Sequence, residues 1–231
     1  MQEFNCPSCG AAIGFKSSIA ISTVCPYCRS LIVRHDKDVE LIGTMAELPQ
    51  DISPFQIGTT GRYKKVRFTL VGRMKIGWSE GVWNEWFLVS DEGKRGWLAE
   101  AQGFLAISYE SDAPFELTTK KPKLGLFVTI EGKRFQISDI KETECIGSEG
   151  ELPLIAPRGR KTTSIDLLGR DGEFAGIEID GSGKTRVFLG EYAEFNDFAF
   201  SQLRDLPGWN IKASAPKPTA TRKKGKPDGG W

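Results

Sequence analysis

Apolar and polar residues alternate with a period of two through much of this chain. Across residues 63–76, Val66, Phe68 and Leu70 fall on one side while Lys65, Arg67 and Thr69 fall on the other. That is the pattern of a half-buried strand. Residues 83–89 form a second such run, and residues 96–100 and 104–107 two more. Residues 55–58, Phe55-Gln56-Ile57-Gly58, read as a short strand ahead of them. Asp91-Glu92-Gly93 supplies a tight turn, because glycine accepts the backbone angles such turns require. Five short strands with tight turns predict a small barrel or a strongly bent sheet.

The second half repeats the plan. Gly132-Lys133-Arg134-Phe135-Gln136-Ile137 parallels Tyr63-Lys64-Lys65-Val66-Arg67-Phe68. The run from Ile165 to the turn Asp171-Gly172 parallels the run from Glu85 to Glu92-Gly93. One reading is two copies of a β unit, 55–110 and 120–195. The other is one continuous β domain whose turns look alike because tight turns draw on Gly and Asp. Residues 196–206 are expected to hold one or two short helical turns.

The N-terminal stretch carries different information. Cys6-Pro7-Ser8-Cys9 and Cys25-Pro26-Tyr27-Cys28 are two C-x2-C pairs with fifteen residues between them. That spacing fits a four-cysteine zinc site. Two residues between thiols let both sulfurs of a tight turn face one metal, and two such turns complete the tetrahedron that zinc prefers. Gly10 follows the first pair, where the turn calls for a positive φ. A closed four-thiolate site leaves no open position, so one structural zinc is expected on Cys6, Cys9, Cys25 and Cys28. Ile13, Phe15, Ile19, Ile21, Leu31, Ile32 and Val33 are expected to build the strands beneath it. Cys145 reads as a small buried apolar residue, and His35 as a solvated side chain.

The expected organisation is therefore mainly β. A zinc ribbon (1–35) leads through a connector (36–54), with an apolar run at Val39-Glu40-Leu41-Ile42, to a β-rich domain (55–206). A disordered basic tail (207–231) follows. The net charge is +1, which gives no global attraction to nucleic acid or an anionic membrane. The tail differs, with six basic residues against one acidic. Lys212, Lys217, Arg222, Lys223, Lys224 and Lys226 there read either as a solvated tail that only aids solubility or as a weak contact with anionic lipid. Met1-Gln2-Glu3-Phe4 does not read as a secretory signal, and no apolar run is long enough to span a bilayer. The expected compartment is the cytoplasm.

Four of the six tryptophans lie between positions 78 and 97. Trp86 and Trp97 sit in apolar strands and read as core. Trp78 and Trp83 flank a glycine-containing loop and read either as further core or as recognition residues. Glu80 and Glu85 beside them are candidates to meet a cation or a basic peptide, against the reading of a solvated loop. Arg158, Arg160 and Lys161 read as a charged loop. No nucleophile–histidine set and no phosphate-binding loop is present, so no enzyme and no small-molecule substrate is expected.

Four short motifs in the β region add a resemblance. Trp83-Asn84-Glu85-Trp86-Phe87-Leu88, Gly96-Trp97-Leu98, Gly150-Glu151-Leu152-Pro153 and Leu189-Gly190-Glu191-Tyr192 occur in that order. In this the chain resembles the bacterial family of domain of unknown function 4178, over roughly residues 55–195. Members of that family often carry an N-terminal zinc ribbon. An aromatic commonly follows the proline of the third motif, where this chain has Leu154. The resemblance implies a β-rich accessory factor near a membrane system, peripheral to the inner membrane, with no assigned activity. Together these readings point to a non-catalytic zinc-ribbon adaptor for a protein partner in a membrane-associated assembly. Nucleic-acid binding through the ribbon and the basic tail is the alternative. The net acidic β region and the lack of an aromatic-basic strand stripe count against it.

Overall fold

The computed structural model describes residues 2–35, 38–45, 47–48, 51–117 and 122–207. The expected basic tail from residue 208 onward, and the lipid contact assigned to it, lie outside the described residues.

The N-terminal unit is built from five strands: β1 (Gln2–Asn5), β2 (Ala12–Phe15), β3 (Ser22–Val24), β4 (Ser30–Arg34) and β5 (Val39–Thr44). β1 and β2 form one hairpin, and β3, β4 and β5 form an antiparallel set. The apolar run at 39–42 is thus a strand that pairs with β4. Ile19 and Ile21 fall in the turn before β3 and build no strand, and Ile21 is exposed.

The remainder contains β6 (Thr60–Tyr63), β7 (Val66–Trp78), β8 (Gly81–Ser90), β9 (Arg95–Ala101), β10 (Phe104–Ser111), β11 (Phe115–Leu117), β12 (Phe127–Ile130), β13 (Lys133–Leu152), β14 (Lys161–Leu168), β15 (Glu173–Asp180) and β16 (Thr185–Ala193). The expected strand at 55–58 does not form. Ser53 and Thr59 hydroxyls accept from the Phe55 and Gln56 amides, and the Gly58 amide donates to Leu70 O. The two hydroxyl bonds are local and the third reaches β7, and they take backbone groups that a regular ladder would need. Phe55 is instead a core plug, 1% exposed. The helical expectation at 196–206 reduces to a single 3-10 turn, Phe195–Asp197.

Two meanders, β6 to β10 and β12 to β16, share one strand order. β7 pairs with β13 and β10 pairs with β16, both antiparallel. Eight strands therefore close a ring: β7, β8, β9, β10, β16, β15, β14 and β13. The pairing of β7 with β8 slips at Val71 and that of β13 with β14 at Ser138, the sixth residue of each long strand. Such bulges bend a strand and raise its twist, which a closed sheet requires.

Ring closure depends on close backbone approach. A Cβ on Gly72 would lie 1.9 Å from Glu151 O, and one on Gly190 would lie 2.0 Å from Ile107 O. Both contacts sit where the two meanders meet, and neither backbone oxygen can move without breaking a ladder. Gly72→Ala is expected to lower the thermal midpoint far more than an exposed Gly181→Ala, which meets nothing within 4 Å. A thermal melt of the two variants checks it.

Three apolar clusters hold the domain. Outside the ring, Phe68, Leu70, Trp86, Leu88, Leu98 and Ile107 pack under Phe55 and Phe198. On the other meander, Phe135, Ile137, Ile165, Leu167 and Ile177 pack against Val128 and Ile130 of β12. Inside the ring, Met74, Ile76, Phe87, Trp97 and Cys145 form the third. The readings of Trp86, Trp97 and Cys145 as buried agree with this.

A polar network lies on the outer face of β7 and β8. The Asp51 carboxylate accepts from Lys75 Nζ (2.8 Å), Arg73 (3.2 Å) and Asn84 (3.3 Å), and Arg204 lies at 3.4 Å. Glu100 accepts from Ser53, Asn84 and the Trp86 indole beside it. The Arg73 guanidinium also lies over the Trp86 ring, 4.9 Å from its centroid.

Candidate functional site

The two C-x2-C pairs form matching turns at the tips of β1–β2 and β3–β4. The Gly10 amide donates to Cys6 O and the Arg29 amide to Cys25 O, each at 2.9 Å. Gly10 (φ 74°) and Arg29 (φ 61°) hold the same left-handed position in the two turns. The turns bring all four sulfurs within 4.8 Å of one another. Cys6 and Cys28 Sγ are 3.6 Å apart, and Cys9 and Cys25 Sγ 3.8 Å apart. A disulfide would bring a pair to about 2.05 Å. A tetrahedral thiolate shell with bonds of about 2.3 Å sets its sulfurs about 3.8 Å apart. The four thiols can therefore hold one metal ion. Cys6, Cys25, Ile13 and Ile32 are buried together, so the ligands belong to the ribbon's own core. His35 stays out of the site, exposed and 3.0 Å from Glu40.

The ribbon is joined to the ring by a few specific bonds. β3 pairs with the end of β13, Thr23 opposite Glu151 and Ser22 opposite Leu152. The buried Glu151 carboxylate accepts from the Lys16 and Ser17 amides at 2.9 and 2.7 Å.

The second candidate is one mouth of the ring. Trp78, Glu80, Trp83 and Glu85 all line a cavity of about 310 Å³ there. Strand alternation places Trp83 and Glu85 inward on β8, while Trp78 and Glu80 stand at the β7–β8 turn. The opposite walls come from Phe104, Lys141, Asp166, Phe174 and Tyr192, which sequence reasoning missed. Phe174 and Tyr192 meet edge to face, 5.4 Å between centroids. On the rim, Val82 is 54% and Phe104 71% exposed. A smaller cavity of about 90 Å³ continues inward past Glu85 to Glu178.

The charges in the mouth are unevenly matched. Lys141 Nζ bonds Asp139 and lies 3.3 Å from Asp166, over the Trp78 ring at 5.0 Å. Deeper in, Glu178 is paired with Arg160 (2.8 Å) and Arg186 (2.7 Å), so Arg160 is part of the lumen and not of a free loop. Glu85 has no salt-bridge partner among the described residues; its carboxylate accepts one hydrogen bond there, from the Trp83 indole at 2.7 Å. Burial pushes the Glu85 carboxyl up from 4.5 to about 7, with Glu178 and Asp166 adding repulsion against the pull of Trp83 and Arg186. Burial also raises Asp166, against the opposing pull of Lys141.

The family model described as Domain of unknown function (DUF4178) matches residues 56–195. The chain belongs to the DUF4178 family. A search of curated proteins and of solved structures returns no match to the chain. The DUF4178 match covers the whole ring and both meanders and leaves the ribbon outside. The four motifs noted in the sequence lie on DUF4178 ring strands: β8, β9, the end of β13 and β16. They supply Trp83, Glu85 and Tyr192 to the mouth, Gly190 to the close approach, and Glu151 to the ribbon contact. No helix among the described residues is long and apolar enough to cross a membrane.

The raised Glu85 pKa of the DUF4178 lumen carries a stability cost with a definite sign. The folded pKa lies above the unfolded one, so the cost is absent near pH 4, grows between 4.5 and about 7, and is full above that. Glu85→Gln keeps an acceptor for Trp83 and removes the charge. The variant is expected to match the parent near pH 4 and to exceed it by about 2–3 kcal/mol near pH 8. Urea unfolding at the two pH values checks this.

Proposed function

We propose that the chain is a non-catalytic zinc-ribbon binding protein that acts as an accessory factor in a membrane-associated assembly. Zinc is the metal that a closed set of four thiolates at these separations favours, and with no open position its role is structural. The ribbon core, which includes two of the ligands, is too small to hold itself together without the metal. The ring then serves as a rigid body that presents its mouth to a protein partner.

The observation that carries this reading is the rim. Phe104 and Val82 stand exposed above a cavity lined by Trp78, Trp83 and Tyr192. Exposed aromatic side chains around a concave, partly charged site are typical of binding hot spots. Phe104→Asp and Val82→Asp leave the cores untouched, because both side chains already face solvent. Capture from the native host with membranes retained should give a defined protein partner with the parent chain and lose it with Phe104→Asp. If both chains capture the same set, the mouth is not the docking site. Retention on nucleic acid that falls steeply with salt would favour the alternative of a nucleic-acid binder.

A further inference from the structure

We infer that the mouth takes a primary alkylammonium group, its charge against Glu85 and its alkyl stem between the aromatic walls. This rests on the reading of the mouth as a binding site and names the chemistry it would select. The cavity offers two kinds of surface. Rings of Trp78, Trp83, Phe174 and Tyr192 present π faces and edges, and Glu85 presents a carboxylate with no cationic partner among the described residues. A cation over such rings gains about 0.5–2 kcal/mol, more as water is excluded. A hard metal ion is a poor fit, since calcium and magnesium call for a convergent shell of oxygens, and among the described residues no three carboxylates come together closely enough to share an ion.

The protein already contains one instance of this arrangement. Lys141 places its ammonium over Trp78 and against Asp166 and Asp139 in the same cavity. That contact sets one ammonium against two carboxylates on one side of the mouth, and Glu85 stands on the other. The groups around Glu85 are Asp166 and Lys141, Glu178 with Arg160 and its second partner Arg186, then Tyr192, and Glu80 at the turn. The first five are engaged with one another and Glu80 stands exposed at the rim, so a cation that enters the cavity meets an unpaired, half-buried carboxylate at Glu85. Proton and ligand then compete for that carboxylate. Binding should weaken as pH falls through about 7, by up to about tenfold per unit below it.

The test uses the full chain and the fluorescence of Trp78 and Trp83, with heats of binding in parallel. The probes are n-pentylamine, its neutral counterpart 1-pentanol, and short peptides carrying one lysine or one acetyl-lysine. Pentylamine is expected to bind at least about tenfold more tightly than pentanol, and Glu85→Gln to remove that preference. The pH dependence on the unaltered chain gives the same answer without a variant. Tighter binding of the lysine peptide would place the ammonium on a protein partner, and tighter binding of pentylamine on a free amine. Equal binding of amine and alcohol would overturn the ammonium inference and leave the mouth as a binding site. No binding of any probe would overturn the inference outright, while the rim variants continue to test docking independently.

Discussion

Cys6→Ser is expected to abolish metal binding and to unfold the ribbon while the ring stays folded. Cys6 is 2% exposed and packs with Cys25, Ile13 and Ile32, so its sulfur is a core atom as well as one of the four that can hold the metal. Structural zinc in small units of this kind contributes about 10–16 kcal/mol at neutral pH, more than the few apolar contacts here can replace. Elemental analysis should fall from close to one metal ion per chain, zinc on the proposed reading, to near zero. Amide exchange should speed up through β1 to β5. The ring has its own three clusters and should keep a cooperative melt, with a lower midpoint because Glu151 and Leu152 lose their partners. A metal-free chain whose ribbon amides stay protected would show that the thiols hold the ribbon by packing alone.

Asp51→Ala is expected to be the most damaging single change outside the ribbon, at about 3 kcal/mol. It leaves the Arg73 and Lys75 side chains, 8% and 10% exposed, without their shared carboxylate. Glu149 still reaches Arg73 at 2.7 Å, while Lys75 loses its charged partner. Burial opposes ionisation of Asp51, yet Lys75, Arg73 and Asn84 outweigh it and hold the carboxyl below its ordinary 3.8. A depressed folded pKa means that this stability is present above the ordinary value and is lost as pH falls through the folded one. The difference between Asp51→Ala and the parent in urea unfolding should therefore be constant from pH 5 to 8 and shrink below about pH 3.8. A difference that persists in acid would make the effect one of packing. Asp51 precedes the matched DUF4178 stretch, so this contact ties the segment before the domain onto its ring.

What the sequence made legible were local regularities. The cysteine spacing located four thiols that come together and can hold a metal ion, and the period of two located β7 to β10 to within a few residues. The likeness of residues 132–137 to residues 63–68 marks the same place in both meanders, the hairpin that opens β7 and the one that opens β13. Closure was not legible, because it depends on β7 meeting β13 across more than sixty residues, and nothing local encodes that pairing. The mouth was half visible. Trp78 and Trp83 attracted notice as tryptophans flanking a loop, whereas Lys141 and Asp166 drew no reading and Tyr192 entered only through its motif. In an open sheet the polar side of an alternating strand faces water, and only closure turns it inward. Residues 55–58 misled because their apolar content serves to plug a core and their amides are bonded locally.

The claim at the centre of this account is that the mouth of the ring docks a protein partner, and photo-crosslinking from position 104 in the native host tests it most directly. A discrete protein adduct is expected from position 104, one that weakens with Trp78→Ala and is absent from position 124, an exposed site away from the mouth. A position-104 adduct with nucleic acid alone, or no more crosslinking than from position 124, would contradict it.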